Sequence, residues 1–157
     1  MTQNNINTKN PVVQTVSSST GALITCTTVM PRDDTIPQQT EGDEVLTVTI
    51  TPKKTTNILH IYFTGMVTQN PATGTSIALF QDATANALAA VQQKNSAYSS
   101  GSLFHSMAAG TTSSTTFKIR VGPATASTSY VNGDSSSSSR EFGGVASTIL
   151  MVTEYLN

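Results

Sequence analysis

The stretch "EVLTVTIT" (44–51) constrains the fold most. Leu46, Val48 and Ile50 alternate with Thr47, Thr49 and Thr51. That two-residue period belongs to a strand with one buried and one open face. The pattern recurs. In "NILHIYFTGMV" Leu59, Ile61, Phe63 and Val67 share one face and His60, Tyr62 and Met66 the other. Bulk on both faces predicts a strand covered on both sides. In "TTFKIRVG" Phe117, Ile119 and Val121 point in while Lys118 and Arg120 point out. Ser and Thr make up about 30% of the chain, and Thr with Val and Ile favours extended backbone.

Turn signals separate these runs. "SSSTG" with Gly21 predicts a hairpin between "PVVQTV" and "ALITCTTV", and "AGTTSS" predicts another between "SLFHSMA" and "TTFKIRVG". "SIALFQD" reads as a strand, and "ANALAAV" as strand plus turn. About eight to ten short strands with a turn every 8–12 residues imply an all-β antiparallel sandwich or jelly roll. The 157 residues suffice for one domain with a core, assigned to 11–157. Residues 1–10 are polar and Asn-rich and read as an arm ordered only by a partner.

The closing "GGVASTILMVTEYLN" adds a quaternary expectation. Ile149 and Met151 fall on one face, Leu150 and Val152 on the other. A two-layer sandwich gives each sheet one core face, so the second face needs another cover. A further copy of the chain is the simplest. The expected subunit interface is therefore Ile149, Leu150, Met151, Val152 and Tyr155, in a homo-oligomer.

Chemical sites are sparse. Charged residues are 11% and the net charge is −1, so no footprint for nucleic acid appears. No apolar run reaches membrane-spanning length, and the polar start lacks a signal-peptide core. Membrane insertion is not expected. The single Cys26 excludes an internal disulfide and reads as a small buried residue. Ser102 lies three positions from His105, an odd separation that puts them on opposite strand faces. No G-x-S-x-G elbow or phosphate loop is present, so no enzyme activity, catalytic residue or cofactor is expected. The acidic connector "PRDDTIPQQTEGDEV" (31–45) holds five of the nine acidic residues. Its spacing fits no calcium loop, and Asp side chains form turns unaided. No metal is expected; the one chemical alternative is a hard cation on Asp33, Asp34 and Asp43. The serine run with Ser135, Ser136 and Ser137 reads as an exposed contact loop.

The segment "TGALITCTTVMPRDDTIPQQTEGDEVLTVTITPKKTTNILHI", with "ALFQDATANALAA", "AGTTSSTTFKIRVGP" and "FGGVASTILMVTEYL", resembles a module of bacteriophage virion proteins. The resemblance spans about residues 11–156. The closing strand is similar in style to that of tumour-necrosis-factor-like jelly rolls, which form tight trimers. The resemblance implies a homotrimeric jelly roll on a virion surface, either capsid decoration (cement) or the tip of a tail or head fibre. A chain without shaft or repeats favours decoration. Asn4, Asn5, Ile6 and Asn7 would then anchor it on a major capsid or tail protein. In the fibre-tip alternative, its loops would contact a host-surface receptor.

Overall fold

The computed structural model describes residues 11–70, 73–94, 98–134 and 139–157. Ten strands run in chain order: β1 Val12–Thr20, β2 Ile24–Cys26, β3 Asp43–Ile50, β4 Ile58–Asn70, β5 Thr75–Gln81, β6 Ala89–Gln93, β7 Ser99–Ala108, β8 Thr115–Pro123, β9 Thr128–Val131 and β10 Thr148–Tyr155. They form two antiparallel sheets. One has the order β1-β10-β4-β9-β2, with β7 on the free side of β4; the other is β3-β8-β5-β6. Setting aside the short β2 and β9, the eight main strands run first-eighth-third-sixth and second-seventh-fourth-fifth. That is jelly-roll wiring.

The core lies between the sheets. Leu59, Ile61, Phe63, Leu150 and Val152 meet Ile50, Ile77, Leu79, Phe117, Ile119 and Val121, all at 2% exposure or less. The inward faces of β3, β4 and β8 are those their alternation implies. Cys26 is also fully buried; burial, helped by the charge of Asp43, pushes its thiol up to about 12.

Neither expected hairpin forms. β1 pairs with β10 and β2 with β9, while β7 pairs with β4 and β8 with β3 and β5. The β7–β8 connection crosses from one sheet to the other, whereas β1 and β2 lie in one sheet with β10, β4 and β9 between them. Of the strands consecutive in the chain, β5 and β6 do pair, joining Thr75–Leu79 to Ala89–Gln93.

Within the protomer, the strand covered on both faces is β5. Ile77 and Leu79 enter the main core, whereas Ala78 and Phe80, also fully buried, point outward. The connector between β2 and β3 covers them by seating Met30 there, with Ala87 alongside. Backbone bonds hold this strap: Met30 N–H donates to Pro123 O (2.9 Å), Gln39 N–H to Ala85 O (2.9 Å) and Ala87 N–H to Pro37 O (2.9 Å). A Cβ on Gly122 would lie 2.4 Å from the Thr28 carbonyl oxygen, so the strap lies directly on β8. Met30→Ala is expected to lower stability by about 2–5 kcal/mol, since it empties a closed apolar site. Urea unfolding measures this, and a loss below 1 kcal/mol would show that the strap carries little of the fold.

Candidate functional site

The outward face of the six-stranded sheet has an unusual composition. Its residues come from alternate positions: 15, 17 and 19 on β1; 149, 151, 153 and 155 on β10; 58, 60, 62 and 64 on β4; and 102, 104, 106 and 108 on β7. None of these is Asp, Glu, Lys or Arg. The register places Tyr62 between Phe104 on β7 and Met151 on β10, and His60 between Ser106 and Thr153. Phe104 is 59% exposed, Tyr62 39% and Ile149 37%. The His60 ring lies 5.2 Å from that of Phe104, edge to face, and 4.7 Å from that of Tyr155. The open face of an antiparallel sheet is ordinarily polar. A face without charge and rich in Tyr, Phe and Met has the makeup of a protein–protein interface core.

This face corrects part of the expected interface. Leu150 and Val152 have no exposure and fill the sandwich core, on the face that the register aligns with Phe63 and Ile61 of β4. They are unavailable to a partner. Ile149, Met151 and Tyr155 point outward, and the face extends to Tyr62, His60 and Phe104. The grouping of His60 with Tyr62 was legible from the alternation of β4. Phe104 has an equivalent signal, a lone aromatic among small polar residues in "GSLFHSM", but its place beside Tyr62 depends on the register between β4 and β7.

The acidic connector is built from turns. Asp33 accepts the Thr35 N–H at 2.9 Å and the Thr35 hydroxyl, bonds that hold its carboxyl below its ordinary range. Asp43 accepts the N–H groups of Thr27 (2.7 Å) and Thr28 (3.0 Å) and the Thr28 hydroxyl (2.7 Å). Partial burial pushes its pKa up, but these bonds and Arg120 outweigh burial and lower it. Glu41 accepts the Gln38 N–H (2.9 Å). Arg120 donates to the carbonyls of Glu41 (2.8 Å) and Gly42 (2.7 Å). Among the described residues no three His, Cys, Asp or Glu side chains are grouped to hold a metal, so Asp33, Asp34 and Asp43 are not brought together as a cation site. A small open cleft of about 210 Å³ lies between the strap and the β5–β6 edge, lined by Pro31, Arg32, Pro37, Val91 and Gln92 among others.

Ser102 is exposed on the outward face, and His105 points inward, where burial lowers its pKa. They form no nucleophile–base pair. Asn4, Asn5, Ile6 and Asn7, and Ser135, Ser136 and Ser137, lie outside the described residues. Glu154, which no motif singles out, is fully buried. It accepts bonds from Gln14 Nε2 (2.6 Å), Asn57 Nδ2 (2.6 Å) and Lys53 N–H (2.8 Å).

No family model matches the chain, and no curated protein does. Solved structures do. The structure of Eiger TNF from S. frugiperda is similar with a TM-score of 0.52 at 10% identity, over 91% of this chain and 93% of that one. A second, "EclA C-terminal domain; sugar-binding protein", is similar with a TM-score of 0.39 at 10% identity, over 84% of each chain. At this identity the first likeness speaks to fold alone, and it agrees with the strand order: the chain is an all-β antiparallel sandwich with jelly-roll wiring.

Proposed function

We propose that the chain is a non-enzymatic structural protein of a bacteriophage particle, a homotrimer that decorates the capsid. The carrying observation is the uncharged aromatic face of β10, β4 and β7. Burying it between copies removes Phe104, Tyr62, Met151 and Ile149 from water, at about 25 cal/mol per Å² of apolar surface. The phage assignment is supported by the motif resemblance of residues 11–156. In this reading, residues 1–10, with Asn4, Asn5, Ile6 and Asn7, reach a major capsid or tail protein, and repeated docking of trimers strengthens a shell through multivalency.

A second reading, a fibre tip that contacts a host-surface receptor, is favoured by one observation. Phe142 and Val145 are 70% and 84% exposed in the segment that follows Ser135, Ser136 and Ser137. Phe142 adopts a left-handed φ of 48°, and a non-glycine residue there is a mark of functional loops.

Sedimentation equilibrium of the full chain and of a chain lacking residues 1–10 tests the first reading. The full chain should sediment at three times 16.5 kDa and the shortened chain at three times its own smaller protomer mass, and only the full chain should bind particles stripped of decoration. A mass of one protomer at micromolar concentration contradicts the assembly. Undiminished particle binding by the shortened trimer contradicts the anchor.

A further inference from the structure

We propose that assembly through the uncharged face is released by acid, with His60 as the sensor. The inference rests on the assembly reading above and deepens it. His60 lies within the face and is flanked by two aromatic rings, Phe104 and Tyr155. Among the described residues, its neighbours on the face include no carboxylate. From β10 it meets Thr153, Tyr155 and Met151, from β7 Phe104 and Ser106, and along β4 Ile58 and Tyr62. The other titratable groups facing it are the phenols of Tyr62 and Tyr155. The one carboxylate of β10, Glu154, points inward and is bonded to Gln14, Asn57 and Lys53. The charged side chains of the adjoining β3–β4 turn are Lys53 and Lys54, of the wrong sign to hold an imidazolium.

A copy that covers this face removes the imidazole from water, and a face without carboxylates supplies no counter-charge. Desolvation without an acidic partner disfavours the charged ring. The assembly therefore favours the neutral ring over the charged one. That contribution is whole where the imidazole of the free protomer is neutral and disappears as falling pH takes histidine through its ordinary titration range. Each histidine held neutral raises the trimer dissociation constant about tenfold per pH unit in that range, and three raise it about a thousandfold. Histidine is the side chain whose ordinary titration spans this window.

Sedimentation equilibrium at pH 7.5 and pH 5.0, with near-UV circular dichroism to report the protomer fold, provides the test. The wild type should be a trimer at pH 7.5 and a folded protomer at pH 5.0. His60→Gln, neutral throughout, should be a trimer at both. His105→Gln should dissociate like the wild type, because His105 points inward on β7. A wild type that remains trimeric at pH 5.0, or a His60→Gln protein that dissociates as the wild type does, overturns the inference and leaves the assembly reading standing. A protomer already at pH 7.5 overturns both.

Discussion

Glu154→Ala is expected to lower the unfolding free energy by roughly 3–5 kcal/mol, the range for removing one member of a buried, hydrogen-bonded charged group. Glu154 ends β10 on its inward side, beneath the turn that links β3 to β4. Its two oxygens gather Gln14 from β1, Asn57 from the start of β4 and the Lys53 N–H from the turn. Removing the carboxylate leaves the buried Asn57 amide and the part-buried Lys53 N–H without their acceptor. Glu154→Gln keeps the shape and one acceptor, and should lose about 1–3 kcal/mol. Burial alone would raise the carboxyl pKa; the bonds from Asn57, Gln14, Lys53 and Lys54 outweigh it and hold the pKa below its ordinary 4.5. The unfolded chain therefore takes up the proton more readily. The contribution is whole above about pH 4.5 and disappears as pH falls toward the lower folded value. Thermal unfolding from pH 7 to pH 3 should show a steeper acid loss for the wild type than for Glu154→Ala. Equal slopes would mean that this carboxylate does not couple folding to pH.

Alternation made the fold class legible, because a strand's period is local. The inward sets of β3, β4 and β8 follow from the spacing of Leu46, Phe63 and Phe117 with their neighbours. Pairing was not legible. "SSSTG" and "AGTTSS" look like hairpin turns, yet both link strands that do not pair: "AGTTSS" carries the chain from one sheet to the other and "SSSTG" joins two non-adjacent strands of one sheet, and both use the small polar residues of a hairpin turn. The apolar run Ile149–Val152 could be divided into two faces, but not into core and surface. That division depends on the long-range register that aligns Leu150 and Val152 with Phe63 and Ile61 of β4. The connector's acids were readable as turn-formers through Asp33 and Thr35. Its role as a cover was not, because Met30 reaches Ala78 and Phe80 across more than forty residues of chain.

Placing a carboxylate on the uncharged face is expected to abolish assembly while the protomer stays folded. Phe104→Glu and Met151→Glu test this at two separate points, one on the edge strand β7 and one on the interior strand β10. Phe104 is more than half exposed and Met151 half-buried, so a solvated glutamate at either site leaves the sandwich core intact. In a closed assembly the same glutamate would be removed from water opposite a surface with no Lys or Arg to receive it. An unpaired buried charge costs several kcal/mol, and the proposed homotrimer would incur that cost three times. Sedimentation should therefore find protomers at concentrations where the proposed trimer forms from the wild type, with far-UV circular dichroism and cooperative unfolding retained. Thr47→Glu, on the open face of the opposite sheet, is the matched control and should assemble normally. Its position lies opposite Lys118 in the β3–β8 register, where a new carboxylate finds a cation. If Phe104→Glu and Met151→Glu assemble as well as the control, the copies meet elsewhere, and the aromatic face of β10, β4 and β7 belongs to a different partner.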